Sequence, residues 1–143
     1  MESPRRVLER LRDRVLGRRK DARHSFGVEG ERIAERYLRR LGYRLLTRNY
    51  RLRGGEIDLI FEDPDDDCIV FVEVKSRRSD HVRGERAIHP AKRRRLVRLT
   101  LLTAKKKRWL NRRLRIDVVI VVLPEHANEP VVRHYRDAVR LER

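Results

Sequence analysis

Two short runs, Glu56–Glu62 (EIDLIFE) and Cys68–Lys75 (CIVFVEVK), place carboxylates and a lysine at spacings suited to chemistry on a phosphate ester. Side chains alternate along a strand, so Glu56, Asp58 and Ile60 share one face while Ile57, Leu59 and Phe61 share the other. In the second run Val70, Val72 and Val74 share a face, leaving Phe71, Glu73 and Lys75 opposite. If the intervening DPDDD reverses the chain so that Phe61 faces Val70, then Leu59 meets Val72 and Ile57 meets Val74, and one face is wholly apolar. That register sets Asp58 against Glu73 and Glu56 against Lys75. Like charges so placed, with Cβ atoms about 4.5–5.5 Å apart, destabilise a hairpin. A Mg2+ or Mn2+ ion removes the conflict, because hard cations are held by a few carboxylates at about 2.0–2.1 Å and keep waters for chemistry. Such an ion polarises a phosphoryl oxygen and activates a bound water, which phosphodiester hydrolysis requires. Lys75 would then stand near the attacking water or the developing negative charge. The competing reading pairs Glu56 with Lys75 and leaves the other acids solvated, since ExK alone is a common surface pattern.

The elements that would position these groups follow from periodicity and punctuation. Ser3 and Pro4 read as an N-cap and first helical residue, with Leu8, Leu11 and Val15 recurring until Gly17. Residues 18–25 read as a polar linker, so residues 1–25 form a basic extension and residues 26–143 a single domain. A second helix is expected from Gly27 to Leu41, its apolar stripe carried by Ile33, Ala34, Tyr37, Leu38 and Leu41. Gly27 and Gly30 lie on or near that stripe and permit a close approach. Glu31 flanks it and is the helix carboxylate nearest the hairpin, with Glu29 and Glu35 pointing further toward solvent. Tyr43–Arg51, Glu56–Glu62 and Cys68–Lys75 read as three antiparallel strands separated by the Gly54-Gly55 pair and DPDDD. A highly charged loop is expected from Ser76 to Ile88, then a long helix from Pro90 to about Leu110. Leu114–Leu123 is a nearly continuous β-branched run, the mark of a strand covered on both faces. Val131–Tyr135 adds an edge strand. The fold class is therefore α/β, a mixed sheet flanked by helices.

Composition narrows the partner. The chain has 143 residues, 38 Lys and Arg against 22 Asp and Glu, and a formal charge of +16. So large an excess attracts polyanions, nucleic acid before a membrane surface. The longest apolar run, Val118–Leu123, is far short of the ~20 residues needed to cross a bilayer. One cysteine, no secretory apolar stretch and an N-terminal helix containing acids point to a reducing cytoplasm. Arg77 and Arg78 after the third strand, Lys92, Arg93 and Arg94 opening the long helix, and Lys105, Lys106 and Lys107 near its end are candidates to track a phosphate backbone. The five histidines have no metal-ligand spacing, and Cys68 has no histidine beside it. Asp117, next to Arg115, reads as an ion pair or strand-end hydrogen bond rather than a catalyst.

The ordered pattern GVEGERIAERYL, TRNYRLRGGEIDLI, IVFVEVKSR, HPAKRRRL and RIDVVIV resembles the YraN-like family of small bacterial proteins. That family is similar to archaeal Holliday-junction resolvases within the PD-(D/E)XK nuclease superfamily. The resemblance covers about residues 26–135 and implies a restriction-endonuclease-like α-β-β-β-α-β core. It places Asp58, Glu73 and Lys75 at the superfamily's metal and lysine positions and Glu31 at the resolvase branch's helix carboxylate; the hairpin register, independently, adds Glu56 as a third candidate ligand. It implies Mg2+ or Mn2+ as cofactor, DNA as substrate, branched or otherwise structured, and, by analogy with the resolvases, a homodimer. A non-catalytic nucleic-acid-binding protein that keeps the fold is the alternative, because fold does not dictate activity.

Overall fold

The computed structural model describes residues 3–79, 88–125 and 129–141. The centre of the expected charged loop, residues 80–87, lies outside them, as do two of the five histidines. The elements are α1 (Pro4–Arg40), β1 (Arg44–Leu52), β2 (Gly55–Asp63), β3 (Cys68–Arg77), α2 (Pro90–Lys106), β4 (Arg113–Val122) and β5 (Val131–Val139). The five strands form one sheet in the order β1-β2-β3-β4-β5. β1 to β3 make an antiparallel meander, β4 runs parallel to β3 after the α2 crossover, and β5 closes the edge antiparallel. This is the mixed α/β sheet expected from the sequence.

Both sheet faces are covered. Ala34 and Leu38 of α1 pack on Leu59, Phe61, Val70, Val72, Val119 and Val121. Leu96 and Leu99 of α2 pack on Ile60, Ile69, Phe71, Ile116 and Ile120. Alternate residues of β4 thus feed opposite cores, which is why its sequence is apolar without alternation.

The largest departures from the sequence reading are three. The first two helices are one. α1 passes through Gly17 and residues 18–25 without a break, because one glycine costs a helix only about 1 kcal/mol and the Arg, Lys and Ala around it are good helix formers. Residues 3–25 are nevertheless exposed throughout, and burial begins at Phe26. At the other end, α2 stops at Lys106 rather than Leu110. Arg108 turns left-handed (φ 59°), the Trp109 N–H donates back to the Ala104 carbonyl at 2.7 Å, and the indole meets Phe71 edge-on at 6.3 Å. Finally, the apolar face of the hairpin does not extend its whole length. Leu59↔Val72 and Phe61↔Val70 pair as expected, but the ladder ends at Leu59, and Ile57 joins the α2-side core instead of meeting Val74.

Candidate functional site

The end of that ladder is caused by the residue of interest. The next rung would pair Asp58 with Glu73, but the Asp58 carboxylate accepts the Val74 N–H at 2.8 Å. The side chain takes the donor that continued pairing would use, and β2 and β3 part around it. Asp58 and Glu73 are therefore not ladder partners, contrary to the expected register, yet they remain electrostatic neighbours. Burial first, and the Glu73 charge second, push the Asp58 pKa up from 3.8 to about 7, against the pull of the Val74 N–H. Glu73 is only 4% exposed. Its Oε1 lies 3.3 Å from Lys75 Nζ and 2.9 Å from Lys92 Nζ. Lys92, expected to meet a phosphate backbone, thus enters the site itself from the first turn of α2, which begins after the His89 N-cap.

Glu31 reaches the same place from the opposite face. A Cβ on Gly30 would lie 1.8 Å from Ser76 Oγ and 3.1 Å from Ser76 Cβ, so the missing side chain lets α1 seat this closely against the end of β3. Gly27, expected to act likewise, has nothing within 4 Å of such a Cβ. Burial raises the Glu31 pKa first, followed by the charges of Glu56 and Glu73. Asn49 adopts a left-handed backbone (φ 48°), a conformation asparagine tolerates better than most residues. With its amide oriented to donate, Asn49 reaches Glu31 Oε2 and Glu56 Oε1, each at 3.0 Å. The other Glu56 oxygen accepts from Arg51 Nε at 3.1 Å. Glu56 consequently answers to β1, not to Lys75 as the expected register had it. The turn before it rests on α2, since a Cβ on Gly55 would lie 2.9 Å from Leu99 Cδ1.

The result is four carboxylates from three elements around the point where β2 and β3 separate, with two lysines on the innermost. Oxygen donors of this kind suit a hard divalent cation, and their mutual repulsion is the penalty such a cation relieves. Among the described residues, however, no three acidic, histidine or cysteine side chains are gathered into a ready coordination group. Glu73 is held by lysines instead.

The remaining basic candidates divide by what they touch. Arg78 donates to the Leu123 carbonyl at 3.3 Å and lies over the Phe26 ring at 4.3 Å, which ties α1 to the sheet. Arg77 donates to the Ser76 carbonyl, and Arg93 to Ile88. Arg94, Lys105, Lys106 and Lys107 are exposed, and Lys107 sits over Tyr50 at 5.4 Å. Glu35 does not point to solvent as expected. It is paired with Arg48 and Arg39 between α1 and β1.

A family model described as "Uncharacterised protein family UPF0102" matches residues 30–121. The chain belongs to the UPF0102 family. A UPF0102 protein of Mycobacterium sp. (strain KMS) is 44% identical over 115 residues, covering 78% of this chain and 83% of the relative. One from Syntrophus aciditrophicus (strain SB) is 47% identical over 98 residues, covering 68% and 76%. One from Geotalea uraniireducens (strain Rf4) is 38% identical over 118 residues, covering 82% and 91%. This is the family that the hairpin motifs resemble. Glu31, Glu56, Asp58, Glu73, Lys75 and Lys92 all fall within the stretch matched to the UPF0102 model.

The UPF0102 chain also buries a polar network away from these carboxylates. Arg115 donates to Asp117 through Nε at 2.8 Å and Nη2 at 3.1 Å, to Asp63 at 3.2 Å and to the Tyr43 hydroxyl at 2.7 Å. Asp117 further accepts from the Asp137 N–H at 3.0 Å and pairs with His134 Nε2 at 2.7 Å. Although burial opposes its charge, these hydrogen bonds hold the Asp117 carboxyl below its ordinary range. Asp117 is thus the ion-pair partner the sequence suggested, and it ties β4 to β5 and to the β2–β3 turn.

Proposed function

We propose that this UPF0102 protein is a metal-dependent endonuclease that hydrolyses phosphodiester bonds in DNA, with branched or structured DNA as substrate. The observation that carries the reading is the convergence of Glu31, Glu56, Asp58 and Glu73 where β2 and β3 part, with Lys75 and Lys92 against Glu73. Surface acids have no reason to crowd until one of them holds its proton to about pH 7. Asp58 and Glu73 would hold Mg2+ or Mn2+, with Glu31 and Glu56 behind them. When bound, the metal supplies Lewis acidity to the phosphoryl oxygen and a water of lowered pKa. Lys75 and Lys92 would donate to the negative charge that develops on the phosphate. Asn49 keeps Glu31 and Glu56 in position behind Asp58 and Glu73. A homodimer in the cytoplasm, cutting symmetric substrates, completes the proposal.

One observation favours the alternative of a non-catalytic nucleic-acid-binding protein. Glu73 is already neutralised by two lysines, and no three ligands are gathered among the described residues. Incubating purified protein with branched and linear DNA in Mg2+ or Mn2+ decides between the two. Metal-dependent cutting that Asp58→Ala and Glu73→Ala abolish, with binding retained, supports the nuclease. Binding without cutting in any metal supports the alternative.

A further inference from the structure

The cleft between α1 and β1 has a volume of about 650 Å3 and opens beside Glu31 and Asn49, on the same edge as the carboxylates. Arg32, Arg36 and Arg39 line it from the helix, and Arg48 lines it from the strand. The two elements contribute differently. Glu35 holds Arg48 through two hydrogen bonds, the Nη2 one at 3.0 Å, and lies 3.4 Å from Arg39, so these guanidiniums are fixed in place. Arg32 and Arg36 are exposed, and no carboxylate among the described residues pairs with either.

We infer that this cleft seats the phosphodiester backbone of one nucleic-acid strand and leads it to the carboxylate site. The spacing i, i+4, i+7 puts Arg32, Arg36 and Arg39 along one helix face over about 10 Å, a row of cations along which successive phosphates of one strand can lie. A volume of about 650 Å3 holds a short stretch of one strand, whereas a duplex, whose major groove alone is about 12 Å wide, lies across such a cleft rather than inside it. No aromatic side chain lines the cleft, so bases gain no stacking platform and recognition falls on the backbone, independent of sequence. This inference extends the nuclease reading by naming the strand that reaches the site, but binding can be measured where no cutting occurs.

The test is the affinity of the full chain for a labelled single-stranded oligonucleotide and for the blunt duplex of the same sequence, measured in EDTA across a salt series. Arg32→Ala/Arg36→Ala should bind the single strand about tenfold more weakly, with a slope of log affinity against log salt shallower by about 1.4, the share of two phosphate contacts on a single strand. Arg32→Lys/Arg36→Lys should recover most of the loss. The same charge removed at the far end and far edge of the sheet, Arg113→Ala/Arg140→Ala, should change the single-strand affinity less than twofold. Unchanged single-strand affinity in the cleft variant overturns the inference, as does a loss no larger than that of the Arg113/Arg140 variant, or a loss confined to the duplex. Wild-type binding without cutting in Mg2+ or Mn2+ removes the nuclease reading and leaves the cleft standing. Normal cutting by a cleft variant of unchanged affinity does the reverse.

Discussion

Asp58 is the residue on which the most is staked, and its electrostatics make a measurable claim. In the folded protein its carboxyl keeps a proton up to about pH 7, against an ordinary value of 3.8. The folded state therefore binds more protons than the unfolded one between those values, and stability must fall as pH rises through about 7. Asp58→Asn should melt at a higher temperature than wild type at about pH 8, with the gap closing as pH falls toward 4. Adding Mn2+ at the higher pH should raise the wild-type midpoint and leave that of Asp58→Asn nearly unmoved. The opposite behaviour belongs to Arg115. Arg115→Leu strips the counter-charge from buried Asp117 and Asp63, and urea denaturation should show a loss of about 3–5 kcal/mol. That loss would be the same with or without metal, because the network lies outside the carboxylate site.

At the scale of elements, the site depends on how closely α1 seats on β3. Gly30→Ala drives a methyl group into Ser76 Oγ, and overpacking of this kind costs about 1–3 kcal/mol. Pairing it with Ser76→Gly should restore most of the stability, as a double-mutant cycle in urea would show. The sequence revealed the glycine's purpose at Gly30 because helical periodicity alone puts it on the buried stripe; the same logic overreached at Gly27, where nothing packs. Strand order, the α2 crossover and the doubly buried β4 were legible because alternation and β-branched runs report burial directly. The splay between β2 and β3 was not. Alternation assumes that pairing continues, and only the Asp58 carboxylate's capture of the Val74 N–H stops it. Lys92 and Asn49 were missed as neighbours of the site for related reasons: one arrives from a distant element, and the other through a left-handed turn of β1. The asparagine in TRNY, a residue that tolerates that conformation, was the available signal.

For the molecule as a whole, charge and shape divide the labour. Residues 1–25 carry nine of the 38 basic side chains and four of the 22 acidic ones, and those described are all exposed. Removing them should leave the thermal midpoint of the remaining chain within a few degrees of the original, since no core contact is lost, while nucleic-acid affinity and its salt dependence both decline. A large drop in midpoint would mean that the arm packs on the domain. The folded body then offers two basic approaches, α2 with its exposed lysines and the α1–β1 cleft, on either side of one acidic centre. On the proposed reading, a basic exterior draws in the polyanion, and a bound cation would relieve its repulsion by the carboxylates. The most direct test of that arrangement is a crystal structure from crystals soaked in Mn2+, with the anomalous signal used to place the ion. A single strong peak is expected between Asp58 and Glu73, within about 2.3 Å of an oxygen from each, with Lys92 withdrawn from Glu73. An absence of density there at saturating Mn2+, with Lys75 and Lys92 still paired to Glu73, would contradict that arrangement.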